Sequence, residues 1–253
     1  MSKTHLFVTD IHAHPKHHNK RAEWLGGLIN DVKPDVVIVG GDVWDMPSLS
    51  SYDKGRKSFQ GRTYRADVDS GLDWTDRLFS TVRSAKKKLP RFVYVEGNHE
   101  NRIHRAIDIQ PELEGTIGYE DLELSRYYDD VVMYEGGTPG VIEIDGVSYS
   151  HYFISGNMGR PISGEHPAAS LIAKQYGSCS AGHSHLADYS MRTDNSGKKL
   201  HGLVGGCFFD YDSDWAGRSN RLYWRGCVIK RSVSDGDYSP QFVSMKELKR
   251  NYG

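Results

Sequence analysis

The chain has 253 residues, a formal net charge of −1, and 38% hydrophobic and 26% charged residues. That balance excludes a disordered chain, and near-neutrality excludes the strongly basic surface of a sequence-indifferent nucleic-acid binder. No run approaches the ~18 consecutive apolar residues of a membrane span, so a membrane partner is not expected, and the start MSKTHLFVTD reads as no secretory signal.

In chain order, HLFVTD (5–10) reads as a short strand ending in polar residues. KRAEWLGGLIND (20–31) places Ala22, Leu25, Leu28, Ile29 and the following Val32 at helical spacing. PDVVIVGGD (34–42) is a buried-strand run after a proline break. The stretch 46–71 has little periodicity and is too long for an ordinary connection, so it is expected to be a substrate-side loop insertion. LDWTDRLFSTVRSAKKK (72–88) returns to helical period, and RFVYVEGN (91–98) is a third apolar run. This β-α-β-α-β order predicts parallel strands covered by helices, with all three polar tips at one edge. Beyond residue 130, VVMY, GVIEIDGVSYSHYF, SCSAGHSH, HGLVGGCFF and LYWRGCVIKRS are short, partly alternating runs, which predict a second, largely antiparallel or mixed sheet. There is no internal repeat or linker, and one domain over 1–253 is the simplest organisation. Cys179, Cys207 and Cys227 are odd in number and in no CxxC spacing, which points to a reducing compartment, the cytoplasm by default.

Polar residues gather where the apolar runs end. They are Asp10 and His12 in TDIHAH, Asp42 and Asp45 in GGDVWD, Asn98 and His99 in EGNHENR, His151 in YSHYF, and His183 and His185 in AGHSH. Oxygen and imidazole nitrogen suit Mn, Fe, Zn or Ni, and the absence of cysteine from the set argues against a structural zinc site. An isolated histidine is ordinarily a satisfied polar residue, and there are 12 in the chain. Paired motifs recurring at successive strand ends need a common cause. His14, His17 and His18 are expected at the surface or on the substrate side, and His166 and His201 as ordinary residues.

The series D-x-H, G-D-x-x-D, G-N-H-E, H, G-H-x-H resembles the calcineurin-like metallophosphoesterase superfamily, with every block in order between residues 10 and 185. The resemblance implies an α/β fold: a four-layer α/β/β/α sandwich of two mixed sheets, with a dinuclear metal site at the loop ends. It implies two divalent ions, Mn2+ first, held by Asp10, His12 and His185 on one side and Asn98, His151 and His183 on the other, with Asp42 bridging. It further implies hydrolysis by in-line attack of a hydroxide shared by metals about 3.5–4 Å apart. His99 would donate a proton to the departing oxygen and Asp45 would orient His99. Arg102 is expected to clamp the phosphate, the alternative being a pairing with Glu100 or a surface acid.

The substrate is less sharply drawn. Asp45 is followed by Met46-Pro47, not by the Arg-Gly of phosphoprotein phosphatases, and GNHE replaces the GNHD of a nuclease branch. Three basic clusters, at 16–21, 54–65 and 83–88, read as solvated surface unless something recruits them. Lys54, Arg56, Lys57, Arg62 and Arg65 interleave with Phe59 and Tyr64, a mix that suits phosphate contacts plus base stacking. Trp215, Tyr223 and Trp224 beside Arg218, Arg221 and Arg225 repeat it, although an edge strand would explain that tail equally well. A phosphodiester is the expected substrate, with DNA or a nucleotide as its leading version. A phosphomonoester, or a metal-binding scaffold without turnover, is the alternative.

Overall fold

The computed structural model describes residues 2–253. β1 (Lys3–Val8), β2 (Val36–Val39) and β3 (Arg91–Val95) form from runs rich in β-branched and aromatic residues and pair in parallel, as the periodicity predicts. The crossovers are α1 (Arg21–Val32) and α2 (Tyr64–Ser84). After them come α3 (Arg102–Ile109), the single turn α4 (Leu124–Tyr127) and β4 (Asp130–Val132). The second half supplies β5 (Ile142–Ile144), β6 (Val147–Tyr149), a small ribbon of β7 (Ile154–Ser155) and β8 (Arg160–Pro161), and α5 (Pro167–Gln175). β9 (Ser178–Ala181), β10 (Ala187–Thr193), β11 (Lys199–Gly205), β12 (Gly226–Ser234), β13 (Asp237–Ser244) and α6 (Met245–Tyr252) complete the chain.

Two mixed sheets result, with orders β13-β12-β1-β2-β3-β4 and β10-β11-β9-β6-β5. Phe7, Ile38, Val93 and Val95 of the first pack against Val147, Tyr149 and Leu203 of the second. Leu25, Leu28, Trp74, Leu78 and Phe79 of α1 and α2 cover the outer face of the first sheet, and Leu171 of α5 covers the second. The layers are therefore α/β/β/α. One polar network crosses the apolar middle: Lys230 of β12 donates to Ser180 and to the Tyr149 hydroxyl, with its ammonium 4.2 Å from the Tyr149 ring centre and 4.6 Å from that of Tyr238.

Three expectations change. The helix expected at 72–88 begins at Tyr64, capped by Thr63, whose hydroxyl accepts from the Ala66 N–H. Asp67 and Gly71 broke its apolar stripe in the sequence. In the fold Asp67 accepts from the Ser48 N–H, and Gly71 leaves room for the Trp44 indole. The non-periodic loop therefore spans 46–63. Second, VVMY contributes β4 and LYWRGCVIKRS contributes β12 to the first sheet, not the second: β4 runs parallel to β3, and β12 antiparallel to β1. Alternation specifies a buried face, whereas the neighbour is selected by contacts distant in sequence. Third, the 83–88 cluster lies largely beyond the helix, which ends at Ser84. No helix among the described residues is long and apolar enough to cross a membrane.

Candidate metal centre

The segments that follow β1, β2 and β9 turn sharply, and five residues there have left-handed backbones: Asp10 (φ 54°), His12 (47°), Asp42 (53°), His183 (69°) and His185 (61°). Non-glycine residues avoid this region, and several together mark a site whose surroundings hold the strain. Gly41 explains the GGD motif. A Cβ there would lie 2.7 Å from the Gly97 Cα and 2.8 Å from the His151 Nδ1, so the tips of β2 and β3 meet only because the side chain is absent.

All the predicted residues converge. The His12 Nδ1 donates to the Asp45 Oδ1 at 2.7 Å, which turns the Nε2 toward the centre. That Nε2 faces the His185 Nε2 at 3.1 Å, and the latter lies 3.2 Å from the Asp10 Oδ1. On the other side the His151 Nδ1 donates to the Gly40 carbonyl at 2.8 Å. Its Nε2 then faces the Asn98 Oδ1 at 3.0 Å and the Asp42 Oδ2 at 3.3 Å. The His183 Nδ1 approaches the same Asn98 oxygen at 2.7 Å. The Asp42 Oδ2 stands between the two groups, 3.8 Å from the His12 Nε2, while the Asp42 Oδ1 accepts from the His99 N–H at 2.9 Å. Nitrogens and oxygens crowded this closely in a buried space must share protons or a cation, and this donor set of oxygens and imidazoles fits divalent metals.

The electrostatics agree. Burial alone would raise Asp42 and Asp10, but the surrounding imidazoles hold Asp42 well below the carboxylate range and Asp10 below its usual value. Burial would also lower His151, yet Asp42 outweighs it and pushes His151 up to about 10. The two carboxylates thus demand positive charge at this point. His183 is pushed down to about 4, first by burial and then by the charge of His151, which keeps its ring neutral and able to give a lone pair.

Asp45 sits between two imidazoles instead of serving His99 alone. Its carboxylate takes the His12 bond and lies 3.2 Å from the His99 Nδ1, which donates to the Asp45 backbone carbonyl at 2.7 Å. Arg102 is anchored by the carbonyls of Asp45 (2.8 Å) and Met46 (3.1 Å), and its other nitrogen lies 3.0 Å from the His99 Nε2. It does not pair with Glu100. Glu100 is instead the residue that sequence reasoning undervalued: its buried carboxylate accepts the N–H groups of Asp42, Trp44 and Gly97, locking the tips of β2 and β3 together. Burial, then the charge of Asp42, raises it to about 8. The signal was present in GNHE, where an acid closes a motif otherwise made of candidate ligands.

The flanking histidines divide. The His14 Nε2 lies 3.9 Å from Asp45 and borders the site, whereas His17 and His18 are exposed, the His17 ring stacking on Tyr211 at 3.7 Å. His201 is a buried structural residue bonded to Tyr189 and Asp237. In the 54–65 cluster, Arg62 pairs with Asp53, Tyr64 bonds Asp121, and Arg65 pairs with Asp69. Lys54, Arg56 and Lys57 are exposed, with no acid partner among the described residues. In the tail, Arg225 pairs with Asp212 and Trp224 packs on Phe242, but Trp215 is 68% exposed, 6.4 Å from the His185 ring.

The family profile described as calcineurin-like phosphoesterase matches residues 4–199. The chain belongs to the calcineurin-like phosphoesterase family. It is accordingly a metal-dependent phosphoesterase, a hydrolase acting on phosphoric ester bonds, and the family implies divalent ions at the site described above. Among solved structures it is similar to Yfce, a phosphoesterase from E. coli, at 12% identity over 96% of this chain and 99% of that one, with a TM-score of 0.41. A dimetal phosphatase from Danio rerio is similar at 9% identity over the same shares, with a TM-score of 0.40. None of the curated proteins compared matches the chain.

Proposed function

We propose that this calcineurin-like phosphoesterase hydrolyses a phosphodiester, with DNA or a nucleotide as the leading substrate class, and that residues 1–253 act as one unit in the cytoplasm. The observation that carries the site is the convergence of the Nε2 atoms of His12, His185 and His151 and the Asn98 Oδ1 on Asp10 and Asp42. Asp10, His12 and His185 would hold one ion, Asn98, His151 and His183 the other, and Asp42 both; Mn2+ is the first candidate. Bound there, the ions supply a water acidified toward neutrality and neutralise the phosphoryl oxygens.

The chain's own groups do the rest. Asp45 fixes His12 and faces His99, so one carboxylate orients a ligand and a proton donor together. The His99 ring, held through its Nδ1, directs its Nε2 toward the reacting centre, 3.8 Å from Asp42; that nitrogen accepts from Arg102 here, so it protonates the departing oxygen once Arg102 has turned to the phosphate and the ring has taken up a proton from solvent. Arg102, anchored by two carbonyls, is placed to take phosphate oxygens beside that ring. The nucleic-acid preference is supported by the unpaired Lys54, Arg56 and Lys57, and by Trp215 exposed beside His185 with Arg218 and Arg221 on the same short helical segment. Three buried free cysteines suit a reducing compartment.

The test is Mn2+-dependent hydrolysis of bis-p-nitrophenyl phosphate against p-nitrophenyl phosphate. Diester turnover that disappears in Asp42→Asn and falls strongly in His99→Ala is expected. Monoester turnover alone would make the protein a phosphatase. Metal binding without turnover of either ester would make it a scaffold.

A further inference from the structure

Beside Asn98 lies a cavity of about 750 Å3 whose walls include Asn98, Asn101, Arg105, Asp108, Tyr134 and Tyr152. It opens directly from the candidate centre: the Tyr152 ring lies 4.9 Å from the His183 ring and 5.9 Å from that of His151. Tyr134 meets Tyr152 at 82° with ring centres 6.5 Å apart, so the two rings form a corner. Their hydroxyls are 3.5 Å apart, a contact at the limit of hydrogen bonding, and neither donates to another protein group among the described residues.

The polar groups of this cavity differ in how far the fold has committed them. Glu96 at its base is already used, accepting the Tyr134 N–H at 2.6 Å, the Tyr119 hydroxyl and the Asn101 amide at 3.3 Å. Arg105 and Asp108, one turn apart on α3, are exposed on the rim and form no ion pair among the described residues. Gly136 and Gly137, both exposed, also line the cavity, and a Cβ added to either would meet no atom within 4 Å.

We propose that this cavity is a nucleobase subsite, with Tyr152 and Tyr134 as the ring platform and Asn101, Arg105 and Asp108 meeting the edge of the base. Asn98 is shared by the candidate centre and the cavity wall, so a substituent on a phosphoryl group held there has this space beside it. A flat aromatic corner rewards a planar ring, and a rim carrying donors together with an acid matches the mixed edge of a base. An alkyl chain would leave the charged rim unanswered, and a bare anion would make no use of the tyrosines. The proposal rests on the phosphoesterase centre lying where Asp42 and Asn98 meet, and it makes Tyr152 and Arg105 specificity-determining residues.

Titration of the Mn2+-loaded protein with adenosine 5′-monophosphate, ribose 5-phosphate and inorganic phosphate tests it. The monophosphate should bind at least about fivefold tighter than ribose 5-phosphate, the smaller end of what stacking one base contributes. Tyr152→Leu should reduce that ratio to about twofold or less, and Arg105→Ala should lower it, while neither weakens inorganic phosphate by more than about twofold. Equal binding of the two sugar phosphates, no binding of the monophosphate, or an equal loss for phosphate and monophosphate in Arg105→Ala would overturn the subsite. Should Tyr152→Leu lose metal by direct elemental measurement, the exposed Arg105→Ala decides. Base preference without ester hydrolysis would leave the subsite standing and overturn the diesterase. Hydrolysis without base preference would do the reverse.

Discussion

Asp45 shows how one carboxylate can serve two imidazoles. Burial would raise its pKa, but the hydrogen bonds from His12 and His99 hold it well below the carboxylate range, so it stays charged. Asp45→Asn keeps the shape and removes the charge. Metal affinity or activity should fall about 10- to 100-fold, the usual cost of losing an outer partner of a ligating histidine, the role proposed for His12. Parallel metal titrations and rate measurements would separate the two, and wild-type values for both would remove Asp45 from the machinery. Glu100 acts differently, because its three acceptor bonds join loop backbones and touch no ligand side chain. Glu100→Gln presents an NH2 group where an N–H was accepted, a mismatch felt in full above about pH 8, where Glu100 is ionised. It should cost about 1–3 kcal/mol in denaturant unfolding, the penalty of an unsatisfied buried group. Both positions stand in motifs visible in the sequence, but the pairing of Asp45 with His12 was not legible there. The two residues are 33 positions apart and are joined only when β1 and β2 pair.

At the scale of elements, the 46–63 loop and α2 form a single device. Trp44 reaches over Gly71 to bond the Val68 carbonyl, and Asp67 holds Ser48. The loop therefore starts from a rigid base and projects Lys54, Arg56 and Lys57 outward. Reversing those three charges to Glu should raise KM for an oligonucleotide several-fold, with kcat and the small chromogenic diester nearly unchanged. An equal loss on both substrates would sink the role of the loop in recognition. The basic-aromatic pattern was legible in the sequence, but its apparent extent was too large. Arg62, Tyr64 and Arg65 are taken up by Asp53, Asp121 and Asp69, and only the folded loop and helix reveal those partners.

At the scale of the molecule, the two sheets are tied by buried polar groups as well as by apolar contact. His5 of β1 is fully buried, within 2.8 Å of the Tyr149 hydroxyl and 2.9 Å of Asp145. Burial lowers it to about 4, with Asp145 opposing. Between pH 6.5 and 4 the unfolded chain therefore binds a proton that the folded chain does not, so stability rises with pH across that window and is lost as pH falls through it. The full effect is about 3.5 kcal/mol at most, from ~1.4 kcal/mol per unit. Urea unfolding at pH 7 and pH 4.5 should show a smaller difference in His5→Gln than in the wild type, and an unchanged difference would assign the acid sensitivity elsewhere. Metal ions should add stability by mass action, about 2.7 kcal/mol at a hundredfold excess over Kd. Chelation should accordingly lower Tm, and in Asp42→Asn that response should shrink.

By itself the sequence determined the parallel β-α-β-α-β core, the edge of the sheet where the site lies, and the residue types gathered there. Those features are local: a buried run, a glycine-bounded tip and a liganding side chain lie within a few residues of one another, and periodicity reads them directly. Only the tertiary structure decided which sheet β4 and β12 join, how Asp45 is shared, why Glu100 is buried, and that Tyr134 and Tyr152 meet beside Asn98. Each of these depends on contacts between segments far apart in the chain. Such contacts are chosen by packing and by the satisfaction of buried polar groups, and local pattern carries no record of either.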